Sequence, residues 1–401
     1  MQKGGTGLKN VDTFKEYCIG CGLCNAVKGQ EFIKDEKGFQ RPDVKEIKEG
    51  VMKFYEHVCP THNNSLKKLE VGNVWGRRKE VYLSYSRDSK IRYQASSGGV
   101  LTSLAIYLLE SGEVDYIIHT CASKENPMET GTCISSTREE VLACCGSRYS
   151  ISSPFFDCFN KLDQNKKYAF IGKPCDVTAL QNYFDINEDF RKMIPYTLSF
   201  FCAGIPSKKA NESLLSWLGC RTECKFLNYR GNGWPGDTIA IDREGNKYTM
   251  DYVTAWGKIL GRDVHKFCRF CMDGIGERAD ISCGDAWFLT EGLSPDFTEH
   301  EGRNVVFIRN EKGKDLFERA VLEGYLYAEG FNDFEALYRM QTYQFERRTT
   351  MYAKVQAFDF LFRTRPTYSK DILKKYSKGT SLKRKGRIFG GTVKRILMGR
   401  V

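Results

Sequence analysis

The chain has no run approaching about 18 uninterrupted apolar residues, so no bilayer-crossing helix is predicted. Its first residues, Met1-Gln2-Lys3-Gly4-Gly5, lack the apolar stretch of a secretion signal. Histidine is scarce, five in 401 residues, and the five do not assemble into a catalytic set. A Walker-type phosphate loop, a lipase-type serine elbow, a His-Glu-x-x-His element and any internal repeat are missing as well. These absences argue against a membrane channel, a P-loop nucleotidase, a serine hydrolase of that type and a zincin. Acid is missing from one end: from Pro366 to Val401 eleven Lys and Arg face a single acid, Asp371, and this tail carries +10 of the net +11. The rest of the chain is nearly neutral and offers no basic face on a folded domain, so no nucleic-acid partner is expected.

Sixteen cysteines are present, and without an export signal they argue for reduced thiols and metal ligation in the cytoplasm rather than for disulfides. Cys18, Cys21 and Cys24 stand three apart, with Cys59-Pro60 at a distance. Thiolates so spaced wrap one face of a [4Fe-4S] cluster, and a remote Cys-Pro closes the fourth corner. Lys28 holds the place where a two-cluster ferredoxin has another Cys, so the local run predicts one cluster. A zinc knuckle using His57 or His62 beside Cys59 is the rival.

At this length two or more domains are expected. Residues 1–75 read as a small ferredoxin-like cluster domain held together largely by its metal. Residues 76–340 alternate strands with helices, and 341–401 form a helical and basic extension. Val81–Tyr85, Val114–Thr120, Tyr168–Ile171, Tyr196–Phe201 and Asn304–Arg309 read as strands, Val100–Glu110, Val177–Tyr183 and Asp315–Glu323 as helices. Between Cys224 and Tyr248 the pattern becomes hairpin-like. The fold class is thus α/β, with a largely parallel mixed sheet. The end of the basic tail mixes apolar and basic residues at helical spacing. It is read as a solvated, partly disordered segment, with peripheral contact to an anionic inner-membrane face as the second reading.

Two predicted strands end alike, in a small or Pro-containing turn with a cysteine and then a helix. In a parallel sheet such turns share one edge, where ligands collect, so Cys175 and Cys202 are expected to face a common crevice. With Cys268 and Cys271 they make four thiolates, the number a second cubane cluster requires. Structural zinc is the rival for Cys268/Cys271, and Cys283 is a substitute ligand. Cys121, Cys133, Cys144, Cys145, Cys158, Cys220 and Cys224 show no ligand spacing. Ser96-Ser97-Gly98-Gly99 before a helix is a candidate anion cradle. Ser147 and Arg148 could add a hydroxyl and a cation to the same phosphates, or form an ordinary turn. Asp285 is either a cofactor contact or a buried turn carboxylate.

Together these segments resemble the coenzyme F420 hydrogenase/dehydrogenase beta subunits and their chlorophyll-reductase relatives. The matching pieces are Cys18-x-x-Cys21-x-x-Cys24, Ser96-Ser97-Gly98-Gly99-Val100, Gly146-Ser147-Arg148-Tyr149, Gly172-Lys173-Pro174-Cys175, Phe201-Cys202-Ala203-Gly204, Cys268-x-x-Cys271-x-Asp273 and Ala279-Asp280-Ile281-Ser282-x-Gly284-Asp285-Ala286-Trp287. They span roughly residues 15–310. The resemblance implies an FAD-binding oxidoreductase with two [4Fe-4S] clusters, the inner one on Cys175, Cys202, Cys268 and Cys271. It passes electrons to or from a small hydride acceptor, coenzyme F420 or another conjugated ring, and exchanges them with a ferredoxin-like partner. Ser96 to Gly99 and Arg148 become FAD-contact candidates. Lys173 departs from the small residue common between Gly and Pro, and its cation is placed at the flavin pyrophosphate or ring edge. The tail lies outside the resemblance and looks like those of stand-alone bacterial members linked to surface polysaccharides. A non-catalytic iron–sulfur carrier or accessory subunit, and a zinc-stabilised scaffold, are the alternatives.

Overall fold

The computed structural model describes residues 5–62, 69–220 and 222–399. In chain order the strands are β1 (Phe32–Lys34), β2 (Gln40–Pro42), β3 (Glu80–Ser86), β4 (Tyr116–Ala122), β5 (Thr130–Ser135), β6 (Tyr168–Gly172), β7 (Tyr196–Phe200), β8 (Cys224–Asn228), β9 (Thr238–Asp242), β10 (Lys247–Met250), β11 (Ile281–Asp285), β12 (Asn304–Ile308) and β13 (Leu326–Gly330). The large sheet has the order β13-β3-β12-β11-β7-β6-β4-β5. Its centre is parallel, pairing β4 with β6, β6 with β7 and β7 with β11. The other four pairings are antiparallel. The sheet is therefore mixed, and the expectation of a largely parallel one is corrected. β5 folds straight back on β4, and β12 returns beside β11, so neither has the helical crossover that a parallel neighbour needs.

Helices cover both faces. Along β12, Val306 and Ile308 pack with the helix Val100–Glu110 and with Leu316 and Phe317 of the helix Glu311–Leu322. Val305 and Phe307 point the other way, to Trp75, Leu337 and Met340. All five residues of the strand are buried, which is why it reads as a continuous apolar run rather than an alternation. The helix Val100–Glu110 has the bounds expected from sequence. A separate three-stranded sheet, β10-β9-β8, accounts for the hairpin-like segment.

Ahead of the large sheet lie the helices Gly5–Tyr17 and Leu23–Lys28, the β1/β2 hairpin and the helix Val51–Val58. The cysteine loop between the first two helices turns through a left-handed Gly22, φ 91°. A Cβ there would come within 2.4 Å of the Phe156 ring, so only glycine lets the loop lie this close to the main body.

β4 and β5 carry a disulfide, Cys121–Cys133, with Cα atoms 5.9 Å apart. This corrects the expectation of reduced thiols for that pair. Cys133 stands opposite His119 and Cys121 opposite Gly131, so both cysteines occupy one face of the ladder, one step apart.

The basic end is folded. Helices Thr342–Thr349, Met351–Phe360, Lys370–Tyr376 and Leu382–Leu397 close over the cysteine-bearing loops. Leu373, Tyr376 and Ile396 join Tyr17, Phe270, Met272 and Phe358 in one apolar cluster, and Phe389 meets Phe360 at 5.7 Å. The reading of the tail as solvated and partly disordered is corrected. One stripe of Leu382–Leu397 is apolar enough to dock, while Lys383, Arg387, Lys394 and Arg395 stay exposed. No described helix is long and apolar enough to cross a membrane.

Candidate metal and cofactor sites

The first four predicted ligands converge. Helix Val51–Val58 delivers Cys59 at its C-terminus beside Cys24, in the helix Leu23–Lys28, just past the loop that bears Cys18 and Cys21. Electrostatically, Cys59 bears on Cys18, Cys21 and Cys24, and Cys18 also on Cys21 and Cys24, so the four thiols face one small volume. Burial, and then the neighbouring thiol of Cys59, pushes Cys18 up to about 12. The Gly20 N–H donates to Cys18 Sγ at 3.4 Å, and the Thr61 hydroxyl lies 3.1 Å from Cys59 Sγ. His57, one of the zinc rival's two histidines, is bonded through Nδ1 to Lys53 O.

The second four converge too. β6 and β7 are parallel neighbours, so Cys175, in the first turn of the helix Pro174–Phe184, and Cys202, just past β7, emerge at one sheet edge. Cys268 and Cys271 approach on a short turn, and Cys202 and Cys271 each bear electrostatically on both Cys175 and Cys268. Ile205 N–H donates to Cys268 Sγ at 3.3 Å. Burial, then Cys202 and Cys271, pushes Cys268 up to about 12. Cys283 lies inside the sheet core with Val306 and Ile281 and is no substitute ligand.

The two quartets are neighbours. Cys21, Cys175 and Cys271 pack against one apolar cluster, and Asp176, beside Cys175, is the main charge acting on Cys21. His265 ties the loops together: Arg41 donates to its ring at 2.6 Å and to Cys18 O at 2.8 Å, and its own carbonyl accepts from Cys268 N.

Three buried cations are invisible in the sequence because nothing in their spacing marks them. Arg347 donates to Ala203 O at 2.8 Å and lowers the thiols of Cys202, Cys268 and Cys271 against the burial that raises them. Arg348 donates to Met272 O and pairs with Glu277 at 2.9 Å, pinning the Cys268–Cys271 turn to the C-terminal helices. Arg309 reaches Trp75, Arg77 and Ile275 carbonyls, fixing the chain behind that turn.

The flavin candidates fall into two places. Ser96–Gly99 ends at the helix Val100–Glu110, whose cap, Gly99, offers no side chain to the first-turn amides. A Cβ on Gly98 would lie 2.8 Å from Asn304 N and Ser84 O, so the loop hugs the sheet. Ser96 Oγ donates to Arg230 O, Arg230 NH1 reaches Tyr149 OH at 3.4 Å, and Gly146 lies against the Arg230 carbonyl. The loop bearing Ser147 and Arg148 therefore adjoins Ser96. Asp285 accepts both Arg230 terminal nitrogens at 3.1 and 3.0 Å and Trp234 Nε1 at 2.9 Å, and is the carboxylate of a largely buried ion pair. Arg148 spends its terminal nitrogens on the carbonyls of Leu227, Pro127 and Glu129, while its buried Nε has no partner. Lys173 stands apart from these, beside the inner quartet. It is bonded to Asp176 at 2.7 Å and to Ser152 Oγ, and although burial opposes its charge, Asp176 and the Cys175 thiol hold it above its ordinary range. Next to Ser152 opens a cleft of about 460 Å³ lined by Ser150, Ser153, Phe156, Lys208 and Asn211.

Two family models match the chain, both describing the beta subunit of coenzyme F420 hydrogenase/dehydrogenase: its N-terminal part over residues 81–159 and its C terminus over residues 165–333. The coenzyme F420 hydrogenase subunit beta of Methanosarcina barkeri is 28% identical over 258 residues, 60% of this chain and 77% of that one. The same subunit of Methanococcus voltae is 25% identical over 65% of this chain and 87% of its own length. The coenzyme F420-dependent sulfite reductase of Methanocaldococcus jannaschii is 24% identical over 82% of this chain and 50% of its own. Among solved structures, a chain of the xenon-derivatised F420-reducing [NiFe] hydrogenase complex from Methanosarcina barkeri aligns with a TM-score of 0.48 at 24% identity, covering 68% of this chain and 93% of that one.

Proposed function

Since the chain belongs to the coenzyme F420 hydrogenase/dehydrogenase beta subunit family, we propose that it is an iron–sulfur flavoprotein oxidoreductase. Cys18, Cys21, Cys24 and Cys59 hold one [4Fe-4S] cluster, Cys175, Cys202, Cys268 and Cys271 a second. FAD links them to a hydride-accepting small molecule, with an F420-like deazaflavin the first choice because the relatives are named for it. A one-electron protein partner docks near the outer quartet, and the relatives' place in multi-subunit hydrogenases suggests further subunits. The observation that carries this reading is the convergence of two four-thiol groups beside each other, drawn from five separate segments of the chain.

The thiols suit iron: each quartet gathers four buried or half-buried cysteines whose charged forms oppose one another, and a bound cluster relieves that opposition. When bound, the clusters supply single-electron steps and the flavin joins them into a two-electron hydride step. The chain's own part is to exclude water, to aim N–H groups at sulfur, and to set positive charge beside the inner quartet through Lys173 and Arg347. Asn304 Oδ1 accepts the Val100 N–H at 3.4 Å, and the rest of the first turn after Ser96–Gly99 is the candidate phosphate cradle, with Ser147 adjoining. Asp285 orders that wall through Arg230, and Arg148 orders the loop from behind. The cleft next to Ser152, whose hydroxyl accepts from the buried Lys173, is the candidate entry for the conjugated ring.

Arg148's engagement with three carbonyls supports a second reading, an iron–sulfur carrier without flavin. Anaerobic purification with iron, sulfide and flavin analysis separates the two. About eight irons and one FAD per chain are expected. Eight irons without flavin favour the carrier, and zinc in place of iron removes both.

A further inference from the structure

Three cysteines outside both quartets meet at the far end of the sheet. Cys121 lies on β4, Cys133 on β5, and Cys144 caps the helix Arg138–Ala143. Their sulfurs all lie within 4.8 Å of one another, and each residue is half-buried. Among the described residues they are the one set of three or more Cys, His, Asp or Glu whose ligand atoms draw so close. The trio is assembled by the fold and not by sequence spacing: cross-strand register sets Cys121 and Cys133 on one face, and the helix brings Cys144 onto it. A disulfide needs two sulfurs. The third, close to both, is what the Cys121–Cys133 bond leaves unexplained.

We infer that Cys121, Cys133 and Cys144 form a redox-gated site for one thiophilic divalent ion of the zinc class. The disulfide is the closed, metal-free form. Two molecules of a small cellular thiol reduce it: they leave as one disulfide, and the two electrons and two protons they give up stay on the sulfurs of Cys121 and Cys133. The ion then displaces three protons from three thiols and forms three metal–sulfur bonds. Thiolates about 2.3 Å from one tetrahedral ion stand about 3.8 Å apart, so the trio needs only small adjustments. The fourth position is left to water, since the sulfurs are not fully buried. Cys145 is directed elsewhere, its Sγ 3.6 Å from Thr102 Oγ1.

The test uses the full chain purified anoxically with its iron, reduced with dithiothreitol, desalted, incubated with zinc and desalted again before elemental analysis. One zinc per chain is expected in addition to the iron. Cys144→Ser should lower retained zinc about tenfold with iron unchanged, and protein in the disulfide form should retain none. Absence of retained zinc in the reduced wild type, or full retention by Cys144→Ser, overturns the site. Should that variant not fold, alkylation of the wild type decides: zinc should slow modification of Cys121, Cys133 and Cys144 about tenfold, and equal rates with and without zinc overturn it. Iron is read separately, so failure here leaves the quartets untouched.

Discussion

Arg347 has a charge, a location and no water to screen it. Its guanidinium lies beside Cys202, Cys268 and Cys271. If the inner quartet holds the proposed cluster, replacing Arg347 by leucine is expected to lower its midpoint potential by on the order of tens of millivolts while iron content holds. An unchanged potential in an anaerobic redox titration would remove Arg347 from this role. Further along, on the next helix, Lys354 is held down at about 8 by burial, with Arg347, Arg395 and Arg269 adding repulsion. The unfolded chain titrates there near 10.4, so between about 8 and 10.4 it binds more protons and stability rises with pH. Lys354→Met should therefore stabilise the fold at pH 7 by about 1–2 kcal/mol and flatten that rise. A denaturant midpoint equal to wild type at pH 7 would contradict it. At this scale the eight thiols were legible from spacing and from their positions after strands. The arginines were not, because a buried cation is identified by the carbonyls and carboxylates it meets, and these come from all over the chain.

The strand–turn–cysteine–helix units around β6 and β7 could be read locally, since a buried strand followed by a small turn and a helix start carries its own signal. The placing of β3 could not, because it pairs with β12 and β13, more than two hundred residues away. Likewise the C-terminal helices looked like a soluble basic tail because their apolar positions are few and their docking surface is remote. Ending the chain after Arg365 removes the buried Leu373, Tyr376 and Ile396. At about 1.5–3 kcal/mol each, stability should fall by about 5 kcal/mol or more. Urea unfolding of the truncated holoprotein reads this, and a midpoint within error of the full chain would mean that the helices merely rest on the surface.

Across the whole molecule the inner quartet holds Cys175 and Cys202 at the sheet edge, and the outer quartet adjoins it through Cys21 and Asp176. With the clusters in series as the proposed function has them, Cys24→Ser is expected to remove about half of the iron and to reduce turnover with a one-electron protein donor about tenfold or more, while dithionite still reduces the proposed flavin. Equal loss with both reductants would place the two clusters in parallel instead of in series.

The helices that pin the Cys268–Cys271 turn follow all eight thiols in the chain. A ribosome therefore exposes every sulfur before it supplies the segment that seals them in. If the quartets take iron as proposed, the metal is expected to enter most readily during synthesis, before Arg348 reaches Glu277. Late rescue of metal-starved protein should for that reason require loosening the C-terminal cover first.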